Sequence, residues 1–321
     1  MDEQALASLH SDLVQRFHDG DTFTLAEEQQ LGHTLSLLRV GEPPGVPAFD
    51  VYSIEQCKNY LFRDRYLIYA HDLNGYRRVY DAEREITGWC KERDVEYLEW
   101  SYEEWHGRIQ ASIGTTTSDV IWNYLVSETN SQLRELNRYC AETVTGGFRK
   151  DYLVKSIVLH GKYVHYLVTE YYQEQGNTYR KEIPLFESTI LIDPYCYIHT
   201  MYRHYAQFLK EHQGRGKSYH QDEEIYIKEL PDFIKFVVTT FSKHCQVAHF
   251  DNGRPDRKIN FLFNGVPYVI WFREMRENRP GKTQVTFFRA QSLYPIEAPD
   301  ELDKISRATS IRVTEALTFL V

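Results

Sequence analysis

The spacing of apolar residues changes period along this chain. Leu31, Leu35 and Leu38 lie three and four apart, and Thr24 with Glu27 has the form of a capping box, so residues 1–40 read as helical. GEPPGVP at 41–47 holds three prolines and two glycines and closes a first segment, 1–47, as a loop or linker. RYLIYA (65–70) then reads as a strand, Val79, Ala82, Ile86, Trp89 and Cys90 return to helical spacing, and VEYLEW (95–100) reads as a second strand. That order predicts a βαβ unit in an α/β domain over 48–150. TTTSD (115–119) announces a long helix from Val120 to Glu142, and the glycine pair at 146–147 ends it.

Beyond 151 the pattern becomes tyrosine-rich and β-branched. DYLVKSIVL, KYVHYLVTEYY, NTYRKEI and STILID, separated by turn signals, predict an antiparallel meander over 152–193. YCYIHTMYRHYAQFLK (195–210) and PDFIKFVVTTFSKH (231–244) predict helices, the second with Pro231 suited to its first position. KINFLF and VPYVIWFR flank Asn264-Gly265, the signature of a type I′ hairpin, and TQVTFFRA (283–290) supplies a third strand. A last helix is expected over 300–318. The chain as a whole reads as a mixed α+β protein: a helical and βαβ front part, and an antiparallel sheet with packed helices over 151–321.

Composition narrows the class. Of 321 residues, 42% are hydrophobic and 26% charged, which is ordinary globular usage and excludes a disordered or collagen-like chain. The longest apolar runs, such as YVIWF at 268–272, fall far short of the roughly 20 residues a spanning helix needs. The acidic start MDEQALASLHSD shows no apolar leader. The five cysteines, Cys57, Cys90, Cys140, Cys196 and Cys245, are scattered and form no CxxC, which argues against a disulfide framework or a zinc module. A cytoplasmic protein without membrane attachment is expected. The net charge of -9 is unevenly spread: residues 1–150 carry 15 basic against 25 acidic side chains, and residues 196–294 carry 15 against 10. A basic back half suits an anionic partner.

The chemistry-bearing residues gather in that back half. In IHTMYRHY (198–205), His199 and Arg203 are four apart and share a helix face, with His204 on its flank. The loop GRGKSYHQDEE (214–224) adds Arg215, Lys217 and His220, and Thr286 and Arg289 lie on the last strand of the hairpin region. These residue types fit cleavage of RNA through its own 2′-hydroxyl. One histidine takes that proton, another protonates the leaving 5′-oxygen, and arginine or lysine neutralises the phosphorane. Such a reaction needs no cofactor and no metal, and 196–205 holds no HExxH. A serine hydrolase is unsupported, since no GxSxG occurs, and Cys196 sits between tyrosines that suggest burial.

Over about 188–294 the chain resembles toxin and phage-associated nucleases of the barnase–EndoU–colicin–RelE superfold. The matching pieces are IHTMYRHY, GKSYH, LPDFIKFVVTTF, INFLF-NG-VPYVIWF and QVTFFRA. The resemblance implies that His199 or His204 acts as base or acid, that Arg203 and Lys217 hold phosphate, and that His220, Thr286 and Arg289 complete the site. It implies RNA as partner, a toxin or anti-phage defence role, and a regulatory or immunity protein. The acidic overall charge departs from free-standing RNases of this kind and favours a specific RNA or a structured partner. Two other readings stay open: a non-catalytic module binding nucleic acid or protein, and a nucleotide sensor using the turn HDLNG (71–75), which has one glycine and no GxGxxG.

Overall fold

A computed structural model describes residues 92–143, 147–205, 218, 220, 229–250, 253–277 and 284–321, with Asp12 and Arg16. The expected helix and linker at 1–47, the strand at 65–70 and the turn at 71–75 lie outside these residues. The chain divides into two compact units, one of Met1–Thr116 with Thr129–Leu167, the other of Thr117–Glu128 with Val168–Val321.

Three helices account for most of the described residues of the first unit, the second and third of them running on into residues of the other unit. Helix α1 (Glu92–Ser112) includes the stretch expected as the second βαβ strand. Six residues of apparent alternation are too few to separate the two periods, and Glu92, Glu96, Glu99 and Glu103 recur at helical spacing through the stretch and on either side of it. Helix α2 (Val120–Glu142) begins where TTTSD signals it: Asp119 caps it, its carboxylate accepting from Trp122 N–H at 2.9 Å. Helix α3 (Gly147–Glu174) replaces the first two strands expected for the meander and runs unbroken through residue 151, the expected domain boundary. Its apolar residues cover most of its circumference: Leu153, Ile157, Val158, Leu159, Tyr163 and Val164 are all buried. A helix buried all round shows no single stripe, so its β-branched runs read as strands, and Gly161 was a helical glycine rather than a turn. Trp105 of α1, buried, packs edge-on against Tyr166 of α3 at 5.6 Å.

The second unit is a mixed sheet with helices. Strands β1 (Lys181–Leu185), β2 (Ser188–Ile192), β3 (Asp256–Phe263), β4 (Val266–Glu277), β5 (Val285–Pro295), β6 (Ser310–Arg312) and β7 (Leu317–Leu320) lie in the order β1-β2-β5-β4-β3-β7-β6. All neighbours are antiparallel except β2 and β5, which run parallel through Ile190↔Phe288 and Leu191↔Arg289. The β3–β4 hairpin turns at Asn264 and Gly265, whose φ values of 49° and 84° are those of the expected type I′ turn. Helix α4 (Pro194–Thr200) follows β2 and packs on β5. Helix α5 (Leu230–His244) buries Ile234, Val237, Val238 and Phe241, a stripe at i, i+3, i+4 and i+7, against the β1–β2 side. A single turn, α6 (Val247–Phe250), follows. The last expected helix is shorter than its pattern: α7 (Pro299–Ser306) ends, and the β-branched run beyond it supplies β6 and β7, which close the sheet onto β3. The mixed α+β class holds. Among the described residues no helix is long and apolar enough to cross a membrane.

Candidate active site

Two irregularities of the backbone meet at one cavity. The first lies in the helix carrying IHTMYRHY. Pro194 opens α4 and the Asp193 carboxylate caps it, accepting from Tyr195 N–H at 3.1 Å. After Thr200 the helix widens into a π turn, Met201–Tyr205. In an α-helix residues five apart point to different faces; in a π turn the residue five ahead is the axial neighbour. His199 and His204 are five apart, and both line the cavity. The expected α-helix to 210 therefore misplaced His204, which is no flank residue.

The second irregularity is in β5. Trp271 of β4 pairs with Ser292 and Phe272 with Ala290, so Gln291 is an extra residue bulged out of the ladder. Gln291, Ser292, Trp271 and Phe272 all line the same cavity, whose volume is about 650 Å³. Tyr294 and Tyr195 complete its aromatic wall.

Each histidine is fixed through Nδ1. His199 Nδ1–H donates to Glu128 Oε2 at 3.3 Å, and its ring stacks on Tyr195 with centroids 5.4 Å apart. His204 Nδ1–H donates to the Ser218 carbonyl at 2.9 Å, and its ring stacks on Tyr294 at 4.1 Å. Tyr294 is held in turn, its hydroxyl accepting from Trp271 Nε1–H at 2.6 Å. The His204 backbone carbonyl accepts from His220 N–H at 2.7 Å, which ties His220 to the π turn. With Nδ1 engaged in both rings, Nε2 is the nitrogen through which each can exchange a proton.

The other expected site residues are distributed unevenly. Arg203 does not line the cavity; its Nε–H donates to Glu128 Oε1 at 2.9 Å, so one carboxylate holds both Arg203 and His199. His220 is buried and stands behind the cavity, its Nε2–H donating to the Leu293 carbonyl at 2.9 Å. Burial pushes its pKa down from 6.5 to about 4, and it is not among the lining residues of the cavity. Arg289 lies against the face of Tyr195, 4.1 Å from the ring centre, with Nη1 3.4 Å from the Tyr124 hydroxyl and 3.8 Å from Asp193 Oδ2. It braces the cavity wall from behind and is not among the lining residues. Thr286 is exposed, paired with Arg276 three positions nearer the strand's start. Arg215 and Lys217 lie outside the described residues.

Several participants were not among the candidate site residues read from the sequence. Glu128 was the only acid on the buried stripe of α2, seven residues after Ile121, and that position was its one signal. Asp193 precedes proline at a helix start, a readable cap. Burial pushes its carboxyl above the usual carboxylate range, against the opposing pull of Arg289 and of hydrogen bonds from Tyr124 and the backbone. Arg273 lines the cavity beside Asp256, 3.2 Å away, and Asp300 and Glu301 add two more carboxylates to the rim. Cys196 is buried and desolvation raises its thiol far above the ordinary value, so it is no nucleophile. Among the described residues no cluster of three or more His, Cys, Asp or Glu is placed to hold a metal ion.

The buried His220 makes stability pH-dependent. An unfolded imidazole takes up a proton as pH falls below about 6.5, while the folded one resists to about 4. The contribution of neutral His220 is therefore complete above pH 6.5 and is lost progressively as pH falls towards 4, at most about 3 kcal/mol. Urea unfolding near pH 7.5 and pH 5 measures it. In His220→Gln, whose amide can donate to the same Leu293 carbonyl, the difference between the two pH values should shrink; an undiminished difference assigns the effect to other groups.

Comparison of the chain with protein-family models, with curated proteins and with solved structures finds no match to any of them.

Proposed function

We propose that this protein is a metal-independent endoribonuclease whose site is the cavity between the π turn and the β5 bulge. The observation that carries the reading is the pair of histidines lining one cavity, each with Nδ1 held by a fixed acceptor. His204, its Nδ1–H held by the Ser218 carbonyl, leaves Nε2 to take the 2′-hydroxyl proton. His199, its Nδ1 held by the Glu128 carboxylate, is the acid that protonates the leaving 5′-oxygen. Arg203 holds Glu128 in place, and Arg273 is the cation that meets the phosphate. Trp271 and Tyr294 on the aromatic wall offer surfaces for an unpaired base, so single-stranded RNA is the substrate class. A toxin or defence effector acting in the cytoplasm, under control of a regulatory or immunity protein, is the biological role that fits.

The carboxylates of Asp256, Asp300 and Glu301 on the rim favour a second reading, a non-catalytic module that holds a basic protein segment. One experiment separates the two. Purified protein is incubated with total RNA and with DNA, in EDTA and in magnesium. RNA fragments ending in 2′,3′-cyclic phosphate, formed equally in EDTA, are expected. Intact RNA in every condition, together with retention of a basic peptide, supports the binding module instead.

A further inference from the structure

Helix α7 pairs all but one of its charged side chains with each other. Asp300 faces Lys304 at 3.8 Å and Asp303 faces Arg307 at 2.7 Å, each pair one turn apart and exposed. Glu301 forms neither an ion pair nor a side-chain hydrogen bond among the described residues. It stands four residues before Ile305, so the two share a face of the helix. Ile305 is buried in the cluster that Trp271 and Tyr294 pack against, and Glu301, one turn earlier, lines the histidine cavity. Its charge is felt there: burial first, and then Glu301, push the Tyr294 hydroxyl up to about 12. An acid in the first turn of a helix is favoured by the helix dipole, and Asp300 already supplies one. That preference does not explain a half-buried carboxylate turned into a cavity without a cation.

An unpaired carboxylate is an obstacle in a cavity that takes a polyanion. It repels phosphate, and it repels the two carbonyls on the edge of uracil. A base fits beside it only by turning N–H groups toward it. On the Watson–Crick edge, adenine and cytosine each present one amino group next to an acceptor. Guanine presents two adjacent N–H donors, one for each carboxylate oxygen.

We infer that Glu301 selects guanine, in the nucleotide whose 2′-hydroxyl is activated; the inference rests on the ribonuclease reading of this cavity. Tyr294 carries the His204 ring stacked on it at 4.1 Å, so a base beside Trp271 and Tyr294 with its edge at Glu301 belongs to the nucleotide that His204 deprotonates. Cleavage then falls after guanosine. The 2′-oxygen bonds to phosphorus as the bond to the 5′-oxygen breaks, His204 takes the 2′ proton and His199 gives one to the leaving oxygen. The upstream fragment ends in guanosine 2′,3′-cyclic phosphate.

Two measurements on the full chain test it: sequencing of the 3′ ends formed from RNA of equal base composition in EDTA, and calorimetric titration with the 3′-monophosphates of guanosine, adenosine, cytidine and uridine. The guanosine nucleotide should bind about tenfold or more tightly than the other three, the worth of hydrogen bonds to a charged acceptor, and guanosine should dominate the 3′ ends. Glu301→Gln turns one acceptor into a donor and should lower the guanosine nucleotide to the level of the adenosine one. Its melting temperature should stay near the parent's, because the carboxylate has no partner to lose. Asp303→Asn removes the same charge away from the cavity and should leave the selectivity as it is in the parent. Selective binding of the guanosine nucleotide without any cleavage upholds Glu301 as the guanine contact and sinks the ribonuclease reading. Cleavage with no preference for guanosine, equal or undetectable binding of the four nucleotides at millimolar concentration, selectivity unmoved by Glu301→Gln, or retention of a basic peptide ahead of all four would overturn the inference.

Discussion

On the proposed mechanism, His204→Ala is expected to cleave RNA about a hundredfold to ten-thousandfold more slowly than the parent while holding RNA about as well. Loss of a general base removes about two to four orders of magnitude from a rate, and the ring lies at the cavity wall, where it contributes little to retention of the chain. Arg273→Ala is the counterpart. Its side chain is exposed at the rim, so its removal should leave the fold intact, weaken RNA binding, and lower the salt slope of binding by roughly one. Single-turnover cleavage and binding, each measured over a series of salt concentrations, read both effects. A His204→Ala protein that cleaves at the parent's rate takes the imidazole out of the reaction and, with it, the site assignment. The π turn makes the comparison cleaner, because His204 also contributes its backbone carbonyl to His220, and that contact survives the substitution.

The second large effect falls on stability. Glu128→Ala is expected to cost about 3–5 kcal/mol, because it removes the carboxylate from a buried pair with Arg203 at 2.9 Å, both side chains being nine-tenths covered or nearly so. Glu128→Gln keeps an acceptor and the volume, and should cost less while still lowering cleavage, since the carboxylate that holds His199 Nδ1 is gone. The midpoint of urea unfolding, set beside the cleavage rate, distinguishes the two. If Glu128→Ala unfolds at the parent's midpoint, the carboxylate does not anchor the site. A double substitution, Glu128→Leu with Arg203→Met, should recover much of the stability and none of the activity, because apolar replacements of similar volume often match a buried ion pair.

Elements with one exposed and one buried side were legible in the sequence. The β3–β4 hairpin was, because its alternation and its Asn264-Gly265 turn agree on one register. Helix α5 was, because its stripe is clean and a proline marks its start. Helix α3 was not: it is covered on nearly every side, and a segment that is apolar all round carries no period to read. The end of the chain failed for a different reason. Its last strand is set by pairing with β3, some 57 positions earlier, and local spacing holds no record of that partner.

The site divides in the same way. His199 and His204 stood out by residue type, and their presence together needed only the residues themselves. Their approach to one cavity depends on the π turn, which spacing arguments built on an α-helix cannot supply. Glu128 comes from 71 positions before His199, and Arg273 and Gln291 from strands far beyond it. Such partners are brought together by the sheet order, and a reading that searched one helix for its acids found none. Arg289 was drawn to the site by its charge, yet Tyr195, Tyr124 and Asp193 hold it behind the wall.

The π turn and the β5 bulge have a common arithmetic. Each is a regular element carrying one residue more than its hydrogen-bond ladder needs. In the history of a gene such a surplus is a single-codon insertion, and here two of them open onto the same space. A sequence of this fold without the surplus would align with this chain through a one-residue gap, within 201–205 or at 291. Loss of either codon would close its ladder and leave the later side chains of that element on the faces they hold now, so each surplus acts only where it opens onto the cavity.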